Sequence, residues 1–172
     1  MTNFVQNIDA AEELCDELIA AGFAPFVSTR SDTFSALHEA LDERVGVLIV
    51  PRDDNAIGIA AGVSLAGGCP AVLLSDAGIS GSADAIASLV APHQTPLLLV
   101  ISLGGDLPGG GAGGPDPRRL AELLMAELGV QTVVVDAGAR PATSVRLVRE
   151  IVREHLRPAA LLVPLDAFGW PA

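Results

Sequence analysis

The sequence contains no lysine, no tyrosine and only one tryptophan among its 172 residues. All 10 basic residues are arginines, and 21 acidic residues give a formal net charge of −11. A Walker-type phosphate loop is excluded because it requires lysine. The acidic balance argues against nucleic acid and anionic membrane surfaces as partners, since both bind through lysine and arginine.

Cysteines and long apolar runs are also scarce. Cys15 and Cys69 imply no disulfide framework, and the three scattered histidines offer no zinc-binding spacing. No apolar run reaches the ~18 residues that a transmembrane helix needs. The acidic N-terminus shows neither a signal nor a transit pattern, so a cytoplasmic location without membrane association is the expectation.

Short apolar runs alternate with helical patterns along the chain. A parallel sheet with helices on both faces produces this alternation, so we predict a single six-stranded α/β domain over residues 1–172. The apolar runs at 45–50 and 96–102 are typical of strands buried on both faces. Residues 104–115 are rich in glycine and proline and are predicted to form a loop. Strands are predicted over 24–28, 45–50, 71–75, 96–102, 130–136 and 159–165, with helices over 8–21, 33–43, 53–66, 82–91, 117–128 and 142–156.

Four of the predicted strands end in polar or glycine residues, at 28–32, 51–55, 75–78 and 102–105. Ligands of open α/β sheets bind beyond the carboxyl ends of the strands, so these residues are candidates for a site. Asp53 and Asp54 also suit the start of a helix, where free N–H groups and the helix dipole favour carboxylates. From spacing alone, capping is the more economical interpretation of this pair.

The helix that follows contains Gly58 and Gly62, four residues apart. Glycine inside a helix costs roughly 1 kcal/mol relative to alanine, so the pair needs a reason. Two explanations are open: tight packing of the helix on its own sheet, or close approach of a second subunit.

Residues 52–102 carry a resemblance to a known family. They read RDDNAIGIAAGVSLAGGCPAVLLSDAGISGSADAIASLVAPHQTPLLLVIS. This order resembles the pyrimidine-binding domain of thiamine diphosphate enzymes, above all that of sulfopyruvate and phosphonopyruvate decarboxylases. In that family a Glu-x-x-Ala motif opens a small-residue helix, and a Gln-Asn-Ser-Gly turn and a Pro-Leu-Leu strand follow.

The resemblance implies that the family's activating glutamate corresponds to Asp53. In the family this carboxylate bonds a ring nitrogen of the cofactor's aminopyrimidine, and the cofactor serves as electron sink when a 2-oxoacid loses carbon dioxide. Aspartate is one methylene shorter, by about 1.5 Å. Either the backbone lies closer to the cofactor, or Asp54 substitutes, or activation is impaired. The further cofactor-binding positions implied are Asn55, Asp76, Ala77 and Gly78.

The same resemblance implies a substrate pocket lined by Thr29, Arg30 and Ser31, with residues 76–80 nearby. Arg30 could pair with a substrate carboxylate or sulfonate, or equally form a surface ion pair. His93 is a candidate acid/base that would face this pocket. His38, by contrast, is expected to be solvated.

The family's Gly-Asp-Gly motif, with an asparagine about thirty residues later, is missing. The only asparagines are Asn3, Asn7 and Asn55. Mg²⁺ and the diphosphate need such ligands, so the resemblance implies a separate β subunit that supplies them, in an α₂β₂ assembly. No metal site is expected on this chain.

Three functions remain open from the sequence. The leading hypothesis is an α subunit of a two-component thiamine diphosphate enzyme that decarboxylates a 2-oxoacid, with carboligation as a further step. The alternatives are a non-catalytic or regulatory partner domain and, third, a stand-alone nucleotide-binding domain. The third rests on a glycine run at 109–114 that formally matches a dinucleotide fingerprint.

Overall fold

The computed structural model describes residues 8–103, 117–136 and 140–164. Within these ranges the chain alternates helices and strands as the sequence predicts. The helices are α1 (Ile8–Ala20), α2 (Ser35–Arg44), α3 (Asp53–Leu65), α4 (Asp76–Ala85), α5 (Pro117–Glu127) and α6 (Ala142–Arg149). The strands are β1 (Phe26–Ser28), β2 (Val47–Ile49), β3 (Ala71–Ser75), β4 (Leu98–Leu103), β5 (Gln131–Val134) and β6 (Ala159–Pro164).

Three short helical segments complete the description. A 3-10 turn at Asp32–Phe34 leads into α2. Two π-helical turns extend helices, with Ile86–Val90 following α4 and Glu150–Glu154 following α6.

All six strands form one parallel sheet in the order β2-β1-β3-β4-β6-β5. The predicted α/β fold class is therefore confirmed. Two apolar clusters pack on opposite faces: one holds α1, α2 and α6, and the other holds α3, α4 and α5. β4 is buried along its whole length, as its apolar run predicts.

The expectation for the run at 45–50 is wrong. Only Val47–Ile49 form a strand, and this strand is at the edge of the sheet. Leu48 and Ile49 are 49% and 42% exposed, because no element covers β2 on its outer side within the described chain. An apolar run alone does not tell a central strand from an edge strand.

The start of the helix predicted over 82–91 is a second correction. α4 begins directly at Asp76, six residues before the predicted start. Ser75 caps it, because its hydroxyl accepts a hydrogen bond from the backbone N–H of Gly78 at 3.1 Å. The end of β3 and the start of α4 therefore meet without an intervening loop.

The cysteines, the glycine-rich stretch and the helix lengths were also subjects of prediction. Cys15 and Cys69 are free thiols, as expected. The glycine-rich stretch 104–115 lies outside the described residues. No helix among the residues described is both long and apolar enough to cross a membrane.

Candidate active site at the carboxyl end of the sheet

The carboxylate of Asp53 lies between β1 and α4, at the carboxyl ends of the strands. The Thr29 hydroxyl, one residue beyond β1, donates a hydrogen bond of 2.7 Å to Oδ1 of Asp53. Both side chains are half-buried. Although Asp53 is the first residue of α3, it accepts no backbone N–H bond among the described residues, so it does not cap the helix.

Two glycines of α4 border the same carboxylate. A Cβ atom at Gly78 would lie 3.0–3.1 Å from the carboxylate atoms of Asp53. The corresponding distance from Gly81 to Oδ2 is 3.8 Å, which is ordinary van der Waals contact. Because Gly78 has no side chain, it leaves room for the carboxylate of Asp53. A side chain at position 78 would press against that carboxylate.

Asp54 has a different environment from its neighbour. Arg52 donates two hydrogen bonds to its carboxylate, at 3.0 and 2.6 Å, and the backbone N–H of Asn55 donates a third at 2.8 Å. The bond from Arg52 holds the pKa of Asp54 below its ordinary value. Asp54 thus accepts one N–H group of the first turn of α3, although the N-cap position is Arg52, and its pairing with Arg52 argues against Asp54 as a substitute for Asp53.

Next to Thr29, a serine and a histidine form a second polar contact. Ser28 Oγ lies 2.8 Å from Nε2 of His38 and within hydrogen-bond distance of the carbonyl oxygens of Thr29 and Leu73. The expected solvation of His38 is wrong, because its ring is half-buried. Burial, with a smaller contribution from Arg30, lowers the pKa of His38 below its ordinary 6.5, against an opposing effect of Asp42.

A chain of hydroxyl groups joins the loop after β1 to the end of β4. Ser31 Oγ lies 2.6 Å from Thr33 Oγ1, which lies 3.0 Å from the fully buried Ser102 Oγ. Ser31 stands at the N-cap position of the 3-10 turn but makes no capping bond, and its hydroxyl takes part in this chain instead. These contacts fix the loop that carries Thr29.

The three predicted substrate residues do not share one surface. Thr29 faces Asp53, whereas Arg30 and Ser31 line a cavity of about 240 Å³ between the loop after β1, α2 and β2. His38, Val47 and Ile49 line the same cavity.

The structure separates His93 from Asp53. His93 lies in the exposed turn that precedes β4, and the neighbouring Gln94 is close to Gly129, which precedes β5. Residues that precede parallel strands lie at the amino end of the sheet, opposite Asp53. The expectation that His93 faces the same pocket of this chain is not supported by this placement.

The predicted cofactor residues near Asp53 are only partly described. Asn55 is exposed in the first turn of α3, and Gly78 lies against Asp53. The backbone of Asp76 and Ala77 forms the first turn of α4, while their side chains are outside the description. Over the described ranges, no group of three or more His, Cys, Asp or Glu residues could hold a metal ion.

The two glycines of α3 face outward. A Cβ atom at Gly58 or Gly62 would meet nothing within 4 Å. Tight packing on the chain's own sheet therefore does not explain them. Ile59 and Leu65, on the same outward side, are 38% and 81% exposed.

Known proteins resemble this chain in sequence. A sulfopyruvate decarboxylase subunit alpha of Methanocaldococcus jannaschii is 42% identical over 73 residues, which span 41% of this chain and 43% of that protein. The corresponding subunit of Methanothermobacter thermautotrophicus is 27% identical over 97 residues, spanning 55% and 59%. The predicted resemblance is confirmed. The matches span 59% or less of these relatives' length, and no family model matches.

Solved structures agree on the fold. Benzoylformate decarboxylase of Polynucleobacter necessarius superposes with a TM-score of 0.74 over 95% of this chain and 31% of its own, at 12% identity. A thiamin diphosphate-dependent enzyme of Mycobacterium smegmatis, described as putative, gives a TM-score of 0.69 over 95% and 32%, at 15% identity. At such identities the likeness concerns the fold alone: the chain has the α/β fold found within thiamine diphosphate-dependent decarboxylases.

Sequence reasoning missed two contacts of this site. The bond between Thr29 and Asp53 joins residues 24 positions apart, and the contact between Ser28 and His38 joins residues ten positions apart. The position of Thr29 after a strand was a usable signal for the site, but nothing local in the sequence identified its partner.

Proposed function

We propose that this chain is the pyrimidine-binding subunit of a two-component, thiamine diphosphate-dependent enzyme that decarboxylates a 2-oxoacid. The observation that carries the proposal is the Asp53 carboxylate, held at the carboxyl end of the sheet and not used as a helix cap. The fold and the sulfopyruvate decarboxylase relatives support it independently.

The residues around Asp53 fit the pyrimidine half of the cofactor. Oδ1 is bonded to Thr29, while Oδ2 has no hydrogen-bond partner among the described residues. A half-buried carboxylate oxygen without a partner is an acceptor for a ring N–H group, such as the pyrimidine can present. When bound, the cofactor supplies the electron sink for loss of carbon dioxide.

The chain's own residues then have defined tasks. Asp53 would accept a hydrogen bond from the ring nitrogen of the pyrimidine and favour its protonated form. Gly78 leaves room for the carboxylate, and the polar chain from Ser31 to Ser102 holds the loop after β1. Arg30 lines the 240 Å³ cavity, which Asp53 does not reach, and stays the candidate for pairing with an anionic group of the substrate from that side of the loop.

The diphosphate half needs a partner in this proposal. Lysine is absent, and among the described residues no carboxylate cluster could hold Mg²⁺. We therefore propose a β subunit that supplies the Gly-Asp-Gly motif and the later asparagine, in an α₂β₂ assembly. The outward side of α3, with Gly58, Ile59, Gly62 and Leu65, is the surface that we assign to subunit contact.

Reconstitution tests the proposal. We would combine the chain with a sulfopyruvate decarboxylase β subunit, thiamine diphosphate and Mg²⁺, and measure carbon dioxide release from sulfopyruvate. We expect turnover that needs both chains and the cofactor, and that is lost in Asp53→Ala. Asp54→Asn is the matched control, because it alters the adjacent carboxylate without touching Thr29.

Other outcomes would favour the alternatives. Turnover that is indifferent to Asp53→Ala, in a complex that needs the chain only for assembly, indicates a non-catalytic partner. Nucleotide binding by the isolated chain, without effect of the β subunit, indicates a stand-alone binding domain.

The subunit surface has its own test. Gly62→Gln places a side chain on the outward side of α3, whereas Ala126→Gln does so at an exposed position of α5. We expect Gly62→Gln to weaken association with the β subunit in analytical ultracentrifugation and Ala126→Gln to leave it unchanged. Equal association for both variants would remove α3 from the interface.

A further inference from the structure

We infer that Thr29 is a positioning residue for Asp53, and not part of the substrate pocket. This inference rests on the proposed function for its catalytic meaning. The contact itself is a property of the chain and can be tested without any cofactor.

The geometry of the contact supports a positioning role. The 2.7 Å bond runs from a neutral hydroxyl to one oxygen of the carboxylate, a strong class of hydrogen bond when the acceptor is ionised. Threonine is branched at Cβ, so its hydroxyl has few orientations available. Thr29 therefore restricts the rotation of the Asp53 side chain.

Gly78 and Gly81 border the opposite side of the carboxylate. A Cβ atom placed at Gly78 would lie only 3.0 Å from Cγ of Asp53. A Cβ atom placed at Gly81 would lie 3.8 Å from Oδ2 of Asp53, so the space there is wider. The carboxylate is thus bordered by a donor on one side and by α4 on the other. Among the described residues Oδ2 has no hydrogen-bond partner, so this oxygen is left to accept a bond from a ligand.

Aspartate has one methylene fewer than glutamate, so its carboxylate has a shorter reach and less freedom to adjust to a ligand. A misplacement of about 1 Å can lower a rate about 100-fold. Thr29, in the loop after the neighbouring strand β1, holds one oxygen of this shorter side chain in a single place.

A thermal double-mutant cycle tests the contact in the full chain without cofactor. Thr29→Val removes the hydroxyl and keeps the branched shape, and Thr29→Ser keeps the hydroxyl. We expect Thr29→Val to lower the melting temperature by about 2–6 °C. The shift should be clearly smaller in an Asp53→Ala background, and Thr29→Ser should recover most of it. Equal shifts in the two backgrounds would overturn the inference.

Steady-state kinetics of the reconstituted complex with sulfopyruvate distinguish positioning from substrate binding. For Thr29→Val we expect kcat to fall about 10–100-fold with KM unchanged, and Thr29→Ser to retain most of kcat. A raised KM with unchanged kcat would overturn the inference, because it would indicate that Thr29 binds the substrate.

The two readouts separate this inference from the proposed function. If the wild-type complex shows no turnover that depends on thiamine diphosphate, the proposed function fails. The thermal cycle still decides whether Thr29 holds Asp53. If Thr29→Val shifts the melting temperature less in the Asp53→Ala background, the positioning contact is supported. If the shifts of the two variants are additive, the contact is rejected.

Discussion

At the carboxyl end of the sheet, polar side chains from separate segments bond one another, as Thr29 bonds Asp53 and Thr33 contacts Ser102. At the amino end the chain turns through glycines, and four of them, before β1, β2, β3 and β5, have positive φ angles of 70–87°. Helices of a parallel α/β sheet end at the amino end and begin at the carboxyl end. Free N–H groups and positive helix termini therefore collect at the carboxyl end, and only this end favours an anionic side chain.

Because of this difference, residues of the same type have different surroundings at the two ends of the sheet. His38 contacts Ser28 at the carboxyl end and is half-buried, whereas His93 is exposed in a turn at the amino end. A cavity of about 210 Å³ at the amino end is lined by Cys69 and Arg153, but Arg153 already donates to the carbonyl oxygen of Gly22. The chemistry proposed for this chain thus concentrates at the carboxyl end.

The largest expected effect contrasts the two adjacent aspartates. Asp53→Asn should lower kcat of the reconstituted complex by about 100-fold or more, since the amide is a poorer acceptor for a protonated ring nitrogen. Asp54→Asn should leave kcat unchanged, because its carboxylate is bonded to exposed Arg52. Steady-state assays of both variants provide the measurement. An equal loss of kcat in both variants would mean that activity depends on both aspartates of the first turn of α3, not on Asp53 alone.

A smaller effect is expected at the two glycines of α4. Gly78→Ala places a Cβ about 3.0 Å from the Asp53 carboxylate and should lower kcat about 10-fold by displacing it. Gly81→Ala, whose Cβ would lie 3.8 Å from Oδ2, should retain kcat and serves as the control. Circular dichroism would verify that both variants fold. A fully active Gly78→Ala variant would contradict the narrow space inferred there.

Gly62→Ala should stabilise the isolated chain. Its Cβ would meet nothing within 4 Å, so the gain is the helix propensity of alanine over glycine, up to about 1 kcal/mol in unfolding free energy. For a chain of this size we expect a melting temperature higher by about 2–4 °C. A lower melting temperature would show that α3 packs more tightly at Gly62 than the structure indicates.

The pH dependence of stability should follow His38. Its folded pKa lies below the ordinary 6.5, so the unfolded chain binds more protons as pH falls through about 6.5. Acidification through this range should therefore lower the unfolding free energy, and the loss should level off below the folded pKa. His38→Gln should remove this component in urea titrations at several pH values. An unchanged pH profile in that variant would assign the dependence to other groups.

The smallest expected effect is at the amino end. His93→Ala should change neither kcat nor KM of the reconstituted complex, because His93 is exposed and lies at the opposite end of the sheet from Asp53. The assay is the same carbon dioxide release. A large loss of kcat would require a contact of His93 with a second chain, since this chain alone separates it from Asp53.

Much of the fold was predictable because it depends on local signals. Alternating apolar runs indicated all six strands, and Gly22 and Gly129 marked the ends of α1 and α5. The edge position of β2 was not predictable, since its apolar run is like that of a central strand. The early start of α4 was missed because its capping residue, Ser75, is also the last residue of β3.

The sequence alone determined the alternation of buried strands and helices, the acidic charge without lysine, and a carboxylate directly after the second strand. Only the tertiary structure decided which of two adjacent aspartates is available. In sequence, the resemblance points to Asp53 but leaves Asp54 open as a substitute. In the fold, Arg52 pairs with Asp54, whereas Thr29 bonds Asp53. This second contact exists because strand order brings the loop after β1 to hydrogen-bond distance of a residue 24 positions away.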